Sequence, residues 1–217
     1  MARKLVLWGR RSSCNVQKVI WALEELQLLY VHVELGGEHG GLDDPAYRAL
    51  NPNGLVPTLQ DGELAIWESH AIVRYLAAAY GDDGTWPPDP ARRAIVDQWT
   101  DWTATTFQPA WIKLFWLVVR TPQTDHDVSS IMAAYAETVA AMLQLDNHLA
   151  ANAFVAGNRL SYADIVAGVA LFRWFTMDID RPSMPGIEHW YARLQQRPGF
   201  RQAVMVSYEE LIGRRAY

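Results

Sequence analysis

The sequence predicts two unlike halves: an α/β domain of order βαβαββα over residues 1–81 and an all-α domain over 91–217, joined by a linker at 82–90. Three observations predict this. Short apolar runs alternate with helical periodicity as far as Gly81. Asp82 to Pro90 is dense in Asp, Gly and Pro and includes Pro87-Pro88. Every later segment repeats its apolar residues at helical spacing.

Residues 4–8, Lys-Leu-Val-Leu-Trp, read as a short strand ended by Gly9. Ser13-Cys14-Asn15 then offers capping side chains to a helix whose apolar stripe is Val16, Val19, Ile20, Leu23 and Leu26. Tyr30 to Leu35 reads as a second strand and Gly36 to Asp44 as a glycine-rich, acidic loop. Pro45 to Leu50 reads as one helical turn before the turn Asn51-Pro-Asn-Gly54. Residues 56–60 and 63–67 form a hairpin through Asp61-Gly62, and Ser69 caps a helix carrying Ile72, Val73, Tyr75, Leu76 and Ala79, stopped by Gly81. Beyond the linker, helices are expected over 91–119, kinked at Pro109, and over 127–151, 161–176, 185–196 and 200–212. Ser161 and Asp164 have the spacing of a capping box, with Leu160 and Ile165 as its hydrophobic staple.

Composition narrows the functional classes. The 217 residues are 50% hydrophobic and 20% charged, with a formal net charge of −5. That balance is ordinary for a globular chain and argues against nucleic acid, which calls for a basic patch. The single cysteine, Cys14, excludes an internal disulfide framework and fits a reducing compartment. The apolar stretch after the basic start is too short for a signal-peptide core, and no apolar run is read as a membrane span. A cytoplasmic protein without a metal follows as the expectation.

Three features carry chemistry. At the mouth of the first helix, Ser12-Ser13-Cys14-Asn15 sets small polar side chains beside free N–H groups and the positive helix end, which suits an anion. If that anion is a thiolate, lowering its pKa by two units from about 8.5 takes roughly 2.7 kcal/mol. A charge-assisted hydrogen bond and a helix terminus together supply that much. Plain N-capping is the alternative. Val56-Pro57 enters a strand; a cis proline there leaves the Val56 N–H and C=O free for a peptide-like ligand, whereas an edge-strand proline needs no ligand. Glu68-Ser69 at the next helix start suits the ammonium and carboxylate of an α-amino acid, or simply caps.

Taken in order, these residues resemble the cytosolic glutathione transferase superfamily along essentially the whole chain. The resemblance is carried by Ser13-x-Asn15-Val-Gln-Lys-Val-x-Trp21, Asn51-Pro-Asn-Gly-x-Val-Pro57, Glu68-Ser69-x-Ala71-Ile72-x-x-Tyr75-Leu76, Gly157-x-x-x-Ser161-x-Ala-Asp164 and Arg197-Pro-Gly-Phe200. It implies a thioredoxin-like first domain binding glutathione as co-substrate and a helical domain shaping the pocket of a small electrophile. By position, Ser13 matches the thiolate-stabilising hydroxyl of the serine-type (theta-like and zeta-like) classes, with Ser12 as a substitute, and Asn15 matches an Asn used near the sulfur by some bacterial members. Val56 with Pro57 would read the cysteinyl backbone, and Glu68 with Ser69 the γ-glutamyl end. Leu55 stands where many relatives carry a basic residue for the glycyl carboxylate, which leaves His39 as the candidate. Phe107, Trp111 and Trp116 suit either the helical core or the electrophile pocket. The resemblance also implies a homodimer. Rival readings are a thiol-disulfide reductase using Cys14, a zeta-like isomerase echoed in Ser12-Ser13-Cys14, and a non-catalytic module of the same fold.

Overall fold

The computed structural model describes residues 4–215; the basic start Met1-Ala-Arg and the last two residues lie outside them. The first domain runs β1 (Leu5–Trp8), α1 (Cys14–Glu25), β2 (Tyr30–Val33), α2 (Pro45–Leu50), β3 (Thr58–Asp61), β4 (Leu64–Trp67) and α3 (Ser69–Tyr80). The four strands lie in the order β2-β1-β3-β4. β1 and β2 are parallel, as their joining helix requires, and β3 runs antiparallel to both β1 and β4. The expected order is therefore present, with smaller differences. β2 stops at Val33, the loop after it contains a single 3-10 turn at Gly37–His39, and the hairpin turn falls on Gly62-Glu63. Asp61 stays in the strand because its carboxylate is held from below by the hydroxyls of Tyr75 and Tyr80.

The second domain comprises α4 (Pro90–Trp102), α5 (Gln108–Phe115), α6 (Val128–Leu149), α7 (Tyr162–Thr176), α8 (Pro185–Gln195) and α9 (Pro198–Ala203). A π-helical turn at Thr103–Phe107 joins α4 to α5, and another follows at Trp116–Arg120. Pro109 has no N–H to donate and its ring crowds the carbonyl of Thr105, four residues earlier. The helix answers by widening just before it. The helix expected over 200–212 is instead α9 and a separate 3-10 turn at Glu209–Leu211. The reading that no segment suits a membrane also needs correction: α6 is long and apolar enough by length and composition alone. In the fold it packs along α5 and α8, and it carries Glu137 and Asp146.

The two domains share one core, and α1 lies at its centre. Every residue from Val16 to Leu23 is buried, including the polar Gln17 and Lys18. The face away from the sheet meets α7 and α9, where Trp21 packs edge-on against Phe200 at 4.9 Å. Gly168 and Gly199 make room for that indole. A Cβ on Gly168 would lie 3.0 Å from Trp21 Cζ3, and one on Gly199 3.3 Å from its Cδ1. Arg197 closes the seam with a two-pronged ion pair to Glu25, at 2.8 and 2.6 Å.

The predicted capping box is formed. The fully buried Asp164 carboxylate accepts from Ser161 N–H (2.8 Å), Ser161 Oγ (2.9 Å), Val155 N–H (2.8 Å) and Trp190 Nε1 (3.1 Å). Burial outweighs these donors and pushes its pKa up to about 6. Because the folded value lies above the unfolded one, this group makes stability fall as pH rises from about 4 to about 6. Asp164→Ala leaves several donors buried and unpaired, so it should cost about 3 kcal/mol, or about 6–12 °C in Tm. Asp164→Asn should lose less and flatten the difference in Tm between pH 4 and pH 6; thermal melts of both variants across that range are the check.

Candidate functional site

Strand register builds the site. Trp8 pairs with Thr58, so the loop leaving β1 for α1 lies beside the chain entering β3. Gly9 takes φ +142°, and a Cβ there would stand 2.6 Å from Val16 Cγ2 and 3.0 Å from Val56 Cβ. Only glycine lets the helix mouth and the Val56-Pro57 turn approach this closely. The Val56-Pro57 bond is cis. The Leu55 carbonyl just before it accepts from Tyr47 Oη (2.6 Å) and Asn51 Nδ2 (2.8 Å), and both side chains also reach Thr58 Oγ1. With its neighbours so held, the Val56 backbone N–H and C=O have no hydrogen-bond partner among the described residues.

The third segment differs in detail from expectation. The N-cap of α3 is Glu68, not Ser69, and Glu68 adopts φ +70°, a left-handed conformation rare for a non-glycine residue. Such strain, of order 1–3 kcal/mol, persists where the surroundings over-determine it and gathers at ligand sites. It leaves the Glu68 side chain exposed and makes Ser69 the first helical residue, buried, with its backbone N–H free of the helical ladder.

At the helix mouth, Ser13 is the N-cap of α1, yet its side chain makes no capping hydrogen bond and is half-buried. Ser12 is buried and its Oγ has no partner among the described residues. The Ser12 carbonyl accepts from Arg173 Nη2 of α7 at 2.5 Å. Cys14 points inward, buried beside the Arg173 guanidinium. That guanidinium also stands over Phe115 and Tyr208, 4.6 and 5.8 Å from their ring centres.

Asn15 opens onto a polar cluster that sequence reasoning missed. Its Oδ1 accepts from Lys18 Nζ (3.0 Å), Ser69 Oγ (3.3 Å) and Gln108 Nε2 (3.3 Å). Lys18 is fully buried and also donates to Gln108 Oε1 and to His70 Nε2, the latter at 2.9 Å. Burial lowers the Lys18 pKa to about 8, with Cys14 and Glu68 opposing the fall. Burial and the adjacent Lys18 and Arg74 lower that of His70 to about 3, so its ring is neutral. The sequence carries little signal for this cluster: Lys18 lies one turn after Asn15 but off the apolar stripe of α1, and only the elements packed on the helix's other faces bury it.

The remaining candidates lie further apart. His39 ends the 3-10 turn, its Nε2 3.7 Å from Glu34 and 4.0 Å from Glu38. Leu55 is exposed. Phe107, stacked on Trp102 at 5.6 Å, and Trp111 are buried among the helices, whereas Trp116 is exposed with Arg120 3.7 Å above its ring. Among the described residues no group of three or more His, Cys, Asp or Glu is arranged to hold a metal.

Comparison with known proteins agrees with this fold. The model of the glutathione S-transferase N-terminal domain matches residues 7–85, and that of the C-terminal domain matches residues 107–198. Glutathione S-transferase GstB of Escherichia coli K12 is 40% identical over 204 residues, spanning 93% of this chain and 98% of its own. A theta class glutathione S-transferase of the citrus canker pathogen Xanthomonas axonopodis pv. citri, solved with glutathione bound, is 47% identical. It has a TM-score of 0.90 over 94% of this chain and 98% of its own. The Bombyx mori transferase BmGSTD1 is 25% identical, with a TM-score of 0.86 over 96% of each chain.

Gly9→Ala tests the close approach. The added Cβ forces Val16 and Val56 apart, so Tm should fall by several degrees, for an expected cost of about 2 kcal/mol. Glutathione affinity is expected to fall with it, because the substitution displaces the Val56 N–H and C=O, which have no partner among the described residues. A melt and a titration on the same preparation read both.

Proposed function

The chain belongs to the glutathione S-transferase family, and from that premise we propose a serine-type, theta-like enzyme in which Ser13 holds the glutathione thiolate. The observation that carries this reading is an N-cap hydroxyl with no capping bond, beside a turn whose Val56 backbone groups are free. In an ordinary helix the Ser13 hydroxyl would close on its own first turn. Here it is available to a ligand sulfur at the positive end of α1. The Val56 N–H and C=O pair with the cysteinyl backbone in the manner of an added strand, with Pro57 setting the turn. The free backbone N–H groups at the start of α3, that of Ser69 first, take the γ-glutamyl carboxylate, and Glu68 takes its ammonium. His39 is assigned the glycyl carboxylate.

With the peptide so fixed, the thiol proton leaves to solvent. The thiolate then attacks an electrophile, forming a carbon–sulfur bond by addition or with loss of a leaving group. The chain contributes orientation and charge stabilisation and forms no covalent intermediate. Phe107 and Trp111 back the helical wall of the electrophile pocket, and Trp116 and Tyr208 lie along it. Cys14 is buried against Arg173, which favours the hydroxyl over a cysteine-based reductase or isomerase. The companion proposals are a cytoplasmic enzyme and a homodimer. Exposed Leu64 and Trp67 on β4 and Ile95 on α4 are apolar side chains available to a second copy.

Two outcomes are expected. Ser13→Ala should slow conjugation near neutral pH by roughly tenfold to a hundredfold, about 1.5–3 kcal/mol, with the loss shrinking at alkaline pH. Cys14→Ser should be nearly silent; loss of activity in Cys14→Ser with Ser13→Ala intact would give the chemistry to the cysteine. Sedimentation at micromolar concentration should give a species of twice the 24.6 kDa chain mass, and a single species at that chain mass would exclude the dimer.

A further inference from the structure

The buried amine of Lys18 has no carboxylate within hydrogen-bonding distance among the described residues. It faces the acceptors of three neutral groups: Asn15 Oδ1, His70 Nε2 and Gln108 Oε1. An ammonium has three protons, so this set satisfies it, and Ser69 Oγ lies further off at 3.4 Å. The other charged or titratable groups that bear on it are Cys14 on its own helix and Glu68 on α3, with Arg74 beyond His70.

The hydrogen-bond directions around Asn15 are mutually consistent and leave one solution. Lys18, Ser69 and Gln108 are all donors toward the same Asn15 oxygen. The oxygen of Gln108 is turned to Lys18, so its NH₂ is turned to Asn15. That fixes the orientation of the Asn15 amide and leaves its Nδ2, which has no partner among the described residues, as the only group Asn15 can offer a ligand.

We propose that Lys18 is a positioning residue for the transferase reaction: it claims the Asn15 oxygen from below, so that Asn15 meets the glutathione sulfur as an N–H donor. This rests on the reading above that the sulfur sits at the mouth of α1. Ser13 and Asn15 then donate to the thiolate together, and the ammonium, 3.0 Å from the amide oxygen, polarises the amide and adds positive charge in a low-dielectric interior. Gln108 brings the second domain into the same arrangement. The device stabilises charge that appears only when the thiol ionises, so its effect falls on the thiol's acidity more than on peptide affinity.

Lys18→Met, Asn15→Ala, the double variant and Asn15→Asp form the test, with glutathione as the probe. The thiolate absorbance of the bound peptide is titrated against pH, its affinity is measured by calorimetry, and each variant is melted. Lys18→Met should move the thiol midpoint up by about one pH unit, roughly tenfold less thiolate near neutrality, with affinity changed no more than about threefold. The double variant should show little more than Asn15→Ala alone, since Lys18 acts through Asn15. Asn15→Asp covers the case in which Lys18→Met does not fold. Its carboxylate pairs with Lys18 and cannot donate, so it should melt at or above the wild-type temperature yet show the highest thiol midpoint.

A wild-type midpoint in Asn15→Asp overturns the inference. So does an effect of Lys18→Met that is additive with Asn15→Ala, or one confined to affinity, which would assign Lys18 to the carboxylate at Ser69. A wild-type protein that binds no glutathione would instead defeat the functional reading itself, and the two failures are thereby distinct.

Discussion

Burial of α1 on nearly all sides is the constraint on which the other features depend. A helix that served only the sheet would show a polar outer face. Here that face is pressed against α7 and α9, with Trp21 seated between two glycines and Glu25 paired to Arg197. Removing a buried indole of this kind costs about 3–5 kcal/mol. The interior of the first domain and that of the second are thus one continuous core, and α1, which carries Ser13 at its N-terminus, is its central member.

That placement has a chemical price: polar side chains on α1 have no water to turn to. Lys18 and Asn15 find their partners on α3 and on the segment after the first π turn. Ser12 finds one for its carbonyl, on α7, but none among the described residues for its hydroxyl. The shared hydrogen bonds of Lys18, Gln108 and Ser69 on one Asn15 oxygen hold that side chain in place, whereas an unpaired buried hydroxyl costs about 1–3 kcal/mol. The helix mouth therefore combines a fixed floor, built from Asn15 and its neighbours, with unused hydrogen-bonding capacity at its rim.

Much of this was legible in the sequence where the determinants are local. Helical periodicity and the Ser161–Asp164 spacing act within a few residues and gave the right elements, except over 200–212, where the chain forms a short helix and a separate 3-10 turn. The mouth of α1, the Val56-Pro57 turn and the Glu68-Ser69 pair were likewise marked by residues whose conformational preferences are their own. What escaped was relational. Whether Ser69 or Glu68 caps α3 depends on a backbone torsion that the cluster beneath it enforces. Gln108 meets Lys18 just after a π-helical turn, where proline by itself suggests a kink. His70 reads as an exposed helix-start histidine until the buried amine below it is seen. Lys18 reads as one more surface lysine until both faces of α1 are known to be covered.

Gln108 and Arg173 both reach across the domain boundary, one to Asn15 and Lys18 and the other to the Ser12 carbonyl. Recombination between relatives must respect that. A first domain joined to a foreign helical domain would keep its buried ammonium and its helix-mouth carbonyl but leave their partners behind. The break at Asp82–Pro90 is the natural place to cut the chain, yet it does not bound what is inherited together. The heritable unit is a set of side chains that straddles it. Chimeras in this family should therefore succeed or fail by whether the residues at positions 108 and 173 travel with those at 12, 15 and 18.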